Sequence, residues 1–344
     1  MGVLRILLAL AVMFSHAGNV WSIEFMNAGI AVHSFFIVSG FYIALALNQK
    51  YVGEGSNYVF YVNRYLRLWP TYAISLLLIF LHYFHHNAVG ALFAPILSLP
   101  FFWEVFVLLS NLTFIGIDLF THINIGPTGA VFSEYGVDPK QTGFSLILNG
   151  PVWSVWVEML FYLAAPFIVR SLRRSLIFLV IGVVYVVALR FLPTELATSY
   201  RYDLYYPYFF PFFGIGAVVY WVSRPGYLVD DSAYLIGGLI VIGYLAMPMY
   251  LGSTYYLMLA IAIPKLFDLT KDLKWDKFLG DLAYPIYILH MPIHVMTNEW
   301  KLLPIIPIQT AALTIAVSIL VLWLVERPVA RAREKWTVQR LKRK

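Results

Sequence analysis

The chain has 344 residues, 61% of them hydrophobic and only 12% charged, with a formal net charge of +6. Soluble domains run at about 45–50% apolar and about 25% charged, so a soluble enzyme is excluded and a polytopic membrane protein is expected. The absence of cysteine excludes a thiol nucleophile, a cysteine-ligated metal and any disulfide. The positive balance fits Lys and Arg at cytoplasmic helix ends and needs no nucleic-acid partner.

At about 20 residues per span, this length holds about ten transmembrane helices with short loops. The first span is expected at about 4–22, within LRILLALAVMFSHAGNVW, and is read as retained, not cleaved as a signal peptide. The second, at about 29–47, centres on HSFFIVSGFYI. A loop holding Lys50, Gly53, Gly55, Arg64 and Arg67 precedes the third, LWPTYAISLLLIFLHYF, which leaves the bilayer at His82, His85 and His86. The cations at Arg5, Lys50, Arg64 and Arg67 put the N-terminus and this loop in the cytoplasm. Region 91–120, interrupted by Pro95, Pro100, Glu104, Asn111 and Asp118, is expected to be re-entrant or interfacial. Region 121–150 then forms the largest external loop.

Seven more spans follow at about 151–169, 175–192, 204–222, 233–250, 254–270, 278–298 and 308–326. Their basic connectors, RSLRR, KDLKWDK and the tail ERPVARAREKWTVQRLKRK, belong in the cytoplasm. The expected fold is therefore all-α, a polytopic integral membrane protein of about ten transmembrane helices with cytoplasmic N- and C-termini. No internal repeat is visible.

Ionisable groups inside such spans are costly and by default mark function. A helix turns about 100° per residue, so eleven residues bring His16 to within about 20° of Arg5's face and roughly 16 Å along the axis. Glu158 lies at a similar depth in its own span, which makes His16 a candidate partner: a carboxylate holding an imidazole improves it as a general base. A plain hydrogen bond from Glu158 to a Trp or Tyr is the alternative. Arg64 and Arg67, three residues apart, share one helix face. Guanidiniums there suit either a phosphorylated ligand or lipid headgroups. Gly40, after Ser39, lets a helix or a slender ligand approach the backbone; small residues in membrane helices are more often packing devices. His33 is a candidate contact for a polar substrate. Tyr284, Tyr287 and His290 form a stripe, with Tyr287 and His290 as candidate substrate-binding residues. No metal site is expected, because no histidine pair combines with an intramembrane carboxylate at ligand spacing.

Six stretches in order resemble the membrane-bound acyltransferase 3 family: Arg5 and His16 with ten residues between them, FFIVSGF at 35–41, FYVNRYLRLWPTY at 60–72, PVWSVWVEMLFYLAAP at 151–166, LGDLAYPIYILHMPI at 279–293 and ERP at 326–328. The resemblance covers about 1–330, implying an acyltransferase transmembrane domain there and a basic cytoplasmic tail at 331–344. It implies a stand-alone O-acyltransferase that moves an acyl group, usually acetyl from cytoplasmic acetyl-CoA, to a hydroxyl of a glycan or lipid-linked sugar outside the inner (plasma) membrane. By position, His16 matches the catalytic histidine, Arg5, Arg64 and Arg67 match contacts of CoA, and Ser39 and Gly40 match the acyl channel. Departures are His33, where many members carry an acidic residue, and Ala283, where Ser is usual. Direct transfer, with His16 as base and Glu158 steadying its cation, is the expected mechanism, and an acyl-histidine intermediate is the competing one. A transporter or flippase that binds a proton or solute at the buried His and Glu is the alternative class.

Overall fold

Residues 1–20, 25–126, 129–132, 143–193, 205–224, 253–300 and 305–342 are described in a computed structural model. The expected span at 233–250 lies outside them. Almost all regular structure is helical: α1 (Gly2–Ala17), α2 (Ala28–Gln49), α3 (Ser56–His85), α4 (Val89–Leu97), α5 (Phe101–Thr113), α6 (Val152–Ile168), α7 (Leu172–Leu189), α8 (Tyr206–Val222), α9 (Ser253–Thr270), α10 (Lys274–Trp300), α11 (Ile306–Val321) and α12 (Arg327–Lys342). A π-helical turn, Leu322–Glu326, joins α11 to α12. Among the described residues, four helices are long and apolar enough to cross a bilayer: α2, α3, α7 and the continuous α11–α12 rod. On α7, Ile177, Val180, Ile181, Val184 and Val187 are exposed. Such a contiguous apolar face is stable against lipid and not against water.

Local chemistry sets several helix ends. The Asn27 side chain accepts from the Gly29 N–H at 2.8 Å and caps α2. Gly18 ends α1 in a conformation, φ 100°, that side chains rarely adopt, so the first helix stops short of the expected residue 22. α3 begins at Ser56, earlier than expected, so Arg64 and Arg67 sit on the helix and not in the preceding loop. α4 and α5 flank Pro100, a residue without an N–H to continue a helix. At 9 and 13 residues they are about 13 and 20 Å long, so neither alone crosses a core of about 30 Å. Phe101 and Phe102 at the start of α5 are 79% and 68% exposed.

Small residues allow the close crossings that hold the bundle together. A Cβ on Gly40 of α2 would lie 2.2 Å from the Phe213 carbonyl of α8, and one on Gly216 of α8 would lie 2.0 Å from the Ile37 carbonyl. α1 packs on α10 in the same way at Gly2 and Gly280. There Asp276 of α10 accepts from the Gly2 and Val3 amides at 2.7 and 2.9 Å and from the Met1 ammonium at 2.6 Å. Burial disfavours the Asp276 charge, but the ammonium and amide hydrogen bonds outweigh it and hold the carboxyl below its ordinary range. One carboxylate thus satisfies two of the unpaired N–H groups that open α1.

The 121–150 region contains an antiparallel hairpin, β1 (Ile123–Gly126) and β2 (Gly129–Phe132), in which Ile123 pairs with Phe132. Its C-terminal end is tied down by two asparagines. Asn111 donates to the Leu146 carbonyl and accepts from the Leu148 N–H, and Asn149 donates to Ser75 Oγ and to the Ile288 carbonyl.

Candidate active site

A cavity of about 560 Å³ opens between α1, α2, α3, α6, α9 and α10. Its wall includes six of the residues singled out in the sequence: Arg5, Ser39, Arg64, Arg67, Glu158 and Tyr287. Lys50, Lys271, Lys277 and the Met1 ammonium also line it, giving seven cations against the three carboxylates Glu158, Asp276 and Asp281. The three lysines were legible only as cytoplasmic charge. Such an excess of fixed cations in a narrow opening raises the local concentration of an anionic ligand.

The guanidiniums are held without being neutralised one for one. Arg64 lies 5.4 Å from the Phe60 ring and 5.7 Å from the Tyr162 ring, and its Nε is buried with no hydrogen-bond partner among the described residues. Asp281 and Glu158 act electrostatically on both Arg5 and Arg67, and Arg67 repels Arg5. Arg333 of α12 donates to the Asn63 carbonyl at 2.6 Å, next to Arg64 in sequence. The basic tail therefore returns a further guanidinium to this end of the bundle, which the sequence reading missed.

Glu158 does not pair with His16. It accepts from Ser39 Oγ at 2.5 Å and from the Tyr162 hydroxyl, within the cation-lined cavity. The expectation failed because depth along one helix fixes a single coordinate, whereas partner choice depends on which faces of α1 and α6 meet. The alternative, a hydrogen bond between Glu158 and a Trp or Tyr, is what the structure has at Tyr162, four residues on along the same helix. Gly40 is likewise absent from the cavity wall, since the α8 backbone fills the space beside it. His33 is also absent from it. Its Nδ1 is 3.0 Å from the Tyr256 hydroxyl and its ring stacks on Phe212 at 4.0 Å.

His16 stands beyond the cavity, exposed at the opposite end of α1 from Arg5. Its partner is His290 of α10, which is fully buried. The rings are 5.1 Å apart and nearly parallel, with His290 Nε2 3.2 Å from His16 Nδ1. Hydrogen-bond directions fix the protons. His290 Nδ1 lies 2.7 Å from the Tyr287 carbonyl, which can only accept, so the His290 proton sits on Nδ1 and Nε2 carries a lone pair. His16 Nδ1 is 2.9 Å from the Val12 carbonyl, so it too bears its proton, shared between Val12 O and His290 Nε2. That leaves the lone pair of His16 on Nε2. Tyr287 links the two regions: it lines the cavity, packs edge-on against Phe35 at 5.9 Å and lies 6.2 Å from His290. The Phe35–Tyr287 ring pair thus stands where the cavity approaches the histidines.

An apolar helical bundle with a cation-rich cavity behind a polarised histidine pair fits an acyl-transfer enzyme of the membrane. Sequence comparison agrees: the profile of the acyltransferase domain family matches residues 1–327, and the chain belongs to that family. The chain is also 25% identical over 183 residues to nodulation protein 10 of Rhizobium leguminosarum bv. viciae. That match covers 50% of this chain and 44% of the relative, so the chain spans less than half of its length. No solved structure gives a significant match.

Proposed function

We propose that the protein is an integral inner-membrane O-acyltransferase that moves an acyl group, acetyl in the first instance, from cytoplasmic acyl-CoA to a hydroxyl of an extracytoplasmic sugar or surface polysaccharide. The observation that carries the reading is the pairing of a cation-lined cavity with a histidine whose Nε2 is left as a base at the other end of the same helix. The nucleotide of CoA is too charged to enter a bilayer cheaply. Arg5, Arg64 and Arg67 would hold its phosphates at the mouth through charge-assisted hydrogen bonds, while the slender pantetheine arm follows the cavity toward Phe35 and Tyr287. Those rings must part for the thioester to reach His16.

His16 Nε2 then takes the proton of the acceptor hydroxyl as that oxygen attacks the thioester carbonyl. The carbon–sulfur bond breaks, and the departing thiolate takes up the proton. Positive charge on His16 is stabilised by the Val12 carbonyl and His290 Nε2, both already placed as acceptors. Glu158 acts from the cavity wall, where it fixes Ser39 and Tyr162 and offsets part of the guanidinium charge. With the expected number of about ten crossings and both termini in the cytoplasm, the cation-lined mouth would face the CoA side. Family membership supports this class over the transporter or flippase.

His16→Ala should abolish acyl transfer from acyl-CoA in isolated membranes while leaving the protein inserted at the wild-type level. Wild-type activity in that variant would remove the proposal. Mass analysis of the host's surface polysaccharide with and without the protein would identify the acyl group transferred.

A further inference from the structure

The far end of the bundle gathers a second set of donor atoms, unconnected to the cavity or the histidine pair. His82 and His86 lie four residues apart near the end of α3 and so share a face, and Glu299 reaches them from the last turn of α10. His86 Nε2 is 2.8 Å from Glu299 Oε2, and His82 Nε2 is 3.5 Å from Glu299 Oε1. One ligand atom from each residue lies within 4.8 Å of the other two. A tetrahedral ion with bonds of about 2.0–2.1 Å leaves its donors about 3.4 Å apart, so small side-chain movements would seat one here.

We propose that His82, His86 and Glu299 form a binding site for a divalent transition-metal ion, with zinc the expected occupant. Two imidazoles and one carboxylate form a donor set that suits a borderline-soft ion, and three protein ligands leave a fourth position for water or an exchangeable ligand. Burial is graded accordingly: the His82 side chain is 9% exposed, whereas those of His86 and Glu299 are 43% and 46% exposed. His82 also borders a separate cavity of about 250 Å³ whose wall includes Ser145, Asn149 and Pro292. There Asn149 Oδ1 is buried with no hydrogen-bond partner among the described residues. A bound ion would clamp the end of α3 to α10, nine residues and about 13 Å along the helix from His290.

The test uses the purified full chain in detergent, freed of any histidine tag, stripped with chelator and titrated with Co(II), followed by displacement with Zn(II). One Co(II) per chain should give the visible d–d bands of tetrahedral coordination, and Zn(II) should bleach them. His86→Ala and Glu299→Gln alter half-exposed side chains and leave the fold intact. Each should weaken binding by more than the roughly 10–100-fold that loss of an outer-shell partner costs. Absence of the bands, or bands undiminished in both variants, overturns the assignment.

Discussion

Replacing His290 with Phe keeps a ring of similar shape between α1 and α10 but removes the nitrogen that faces His16. In the resting enzyme the cost is small, because the Val12 carbonyl at 2.9 Å still holds the His16 Nδ1 proton. The cost grows when His16 becomes an imidazolium and its Nδ1–H must be shared with an acceptor that is no longer there. A hydrogen bond to a charged group contributes about 1.5–3 kcal/mol, and a proton already shared with a carbonyl belongs at the lower end. About 1.5 kcal/mol corresponds to roughly a tenfold fall in rate. Because the interaction strengthens only as His16 takes the proton, the fall should appear in kcat, with KM for acyl-CoA unchanged. Steady-state assays in proteoliposomes with acetyl-CoA and an acceptor glycan read both constants. An unchanged kcat, or an effect confined to KM, would refute the argument that His290 acts through His16.

The cavity cations should separate from the histidines in the opposite sense. Arg64→Ala and Arg67→Ala should each raise KM for acyl-CoA about tenfold or more, the loss expected of a charge-assisted contact, and should barely affect a short thioester that lacks the nucleotide. Equal losses with both donors would show that the arginines do not read phosphate. Gly40→Ala tests packing against channel lining, since its Cβ would sit 2.2 Å from the Phe213 carbonyl. Forcing α2 from α8 should cost about 1–3 kcal/mol, seen as a lower melting temperature in detergent, whereas a channel role would change acyl preference at unchanged stability. Phe35→Ala should open the ring pair with Tyr287 and raise the rate with longer acyl-CoA donors relative to acetyl-CoA. An unchanged ratio in competition assays would mean that those rings do not gate the acyl chain.

What the sequence made legible were features that repeat along one helix. Membrane character followed from composition, and the shared face of Arg64 and Arg67 followed from a spacing of three. The placement of Arg5 and His16 at opposite ends of one helix followed from the apolar run that contains them. What it concealed were relations between helices. Glu158 found Ser39 because α6 turns that face toward α2, and nothing in the sequence of either helix states their rotation. Gly40 carries the same ambiguity: only the Phe213 backbone, on a helix distant in sequence, shows that the missing side chain makes room for backbone and not for substrate. His82 and His86 were visible as a pair, but their carboxylate lies on α10. Ser39 with Glu158 and His16 with His290 are polar groups paired across elements that one-dimensional spacing cannot bring together.

The separation of charge from base has a physical reason. A carboxylate beside His16 would stabilise the imidazolium more strongly than a neutral imidazole, but it would place a second ionisable group against the fully buried His290, where ionisation is expensive. The observed arrangement keeps the carboxylate among guanidiniums that already need counter-charge, and gives the histidine two neutral acceptors aligned in advance. Those acceptors cost little while the site is uncharged and act only when the proton arrives, so they favour the reacting state over the resting one. On this view the charged half of the molecule binds and the neutral half reacts. α1 and α10 both join them: α1 has Arg5 in the cavity wall and His16 at the exposed end, and α10 has Tyr287 in the wall and His290 beyond it. The anchoring of the first turn of α1 by Asp276 then has a functional consequence, because any slip of α1 along α10 would move His16 relative to His290 by the same distance.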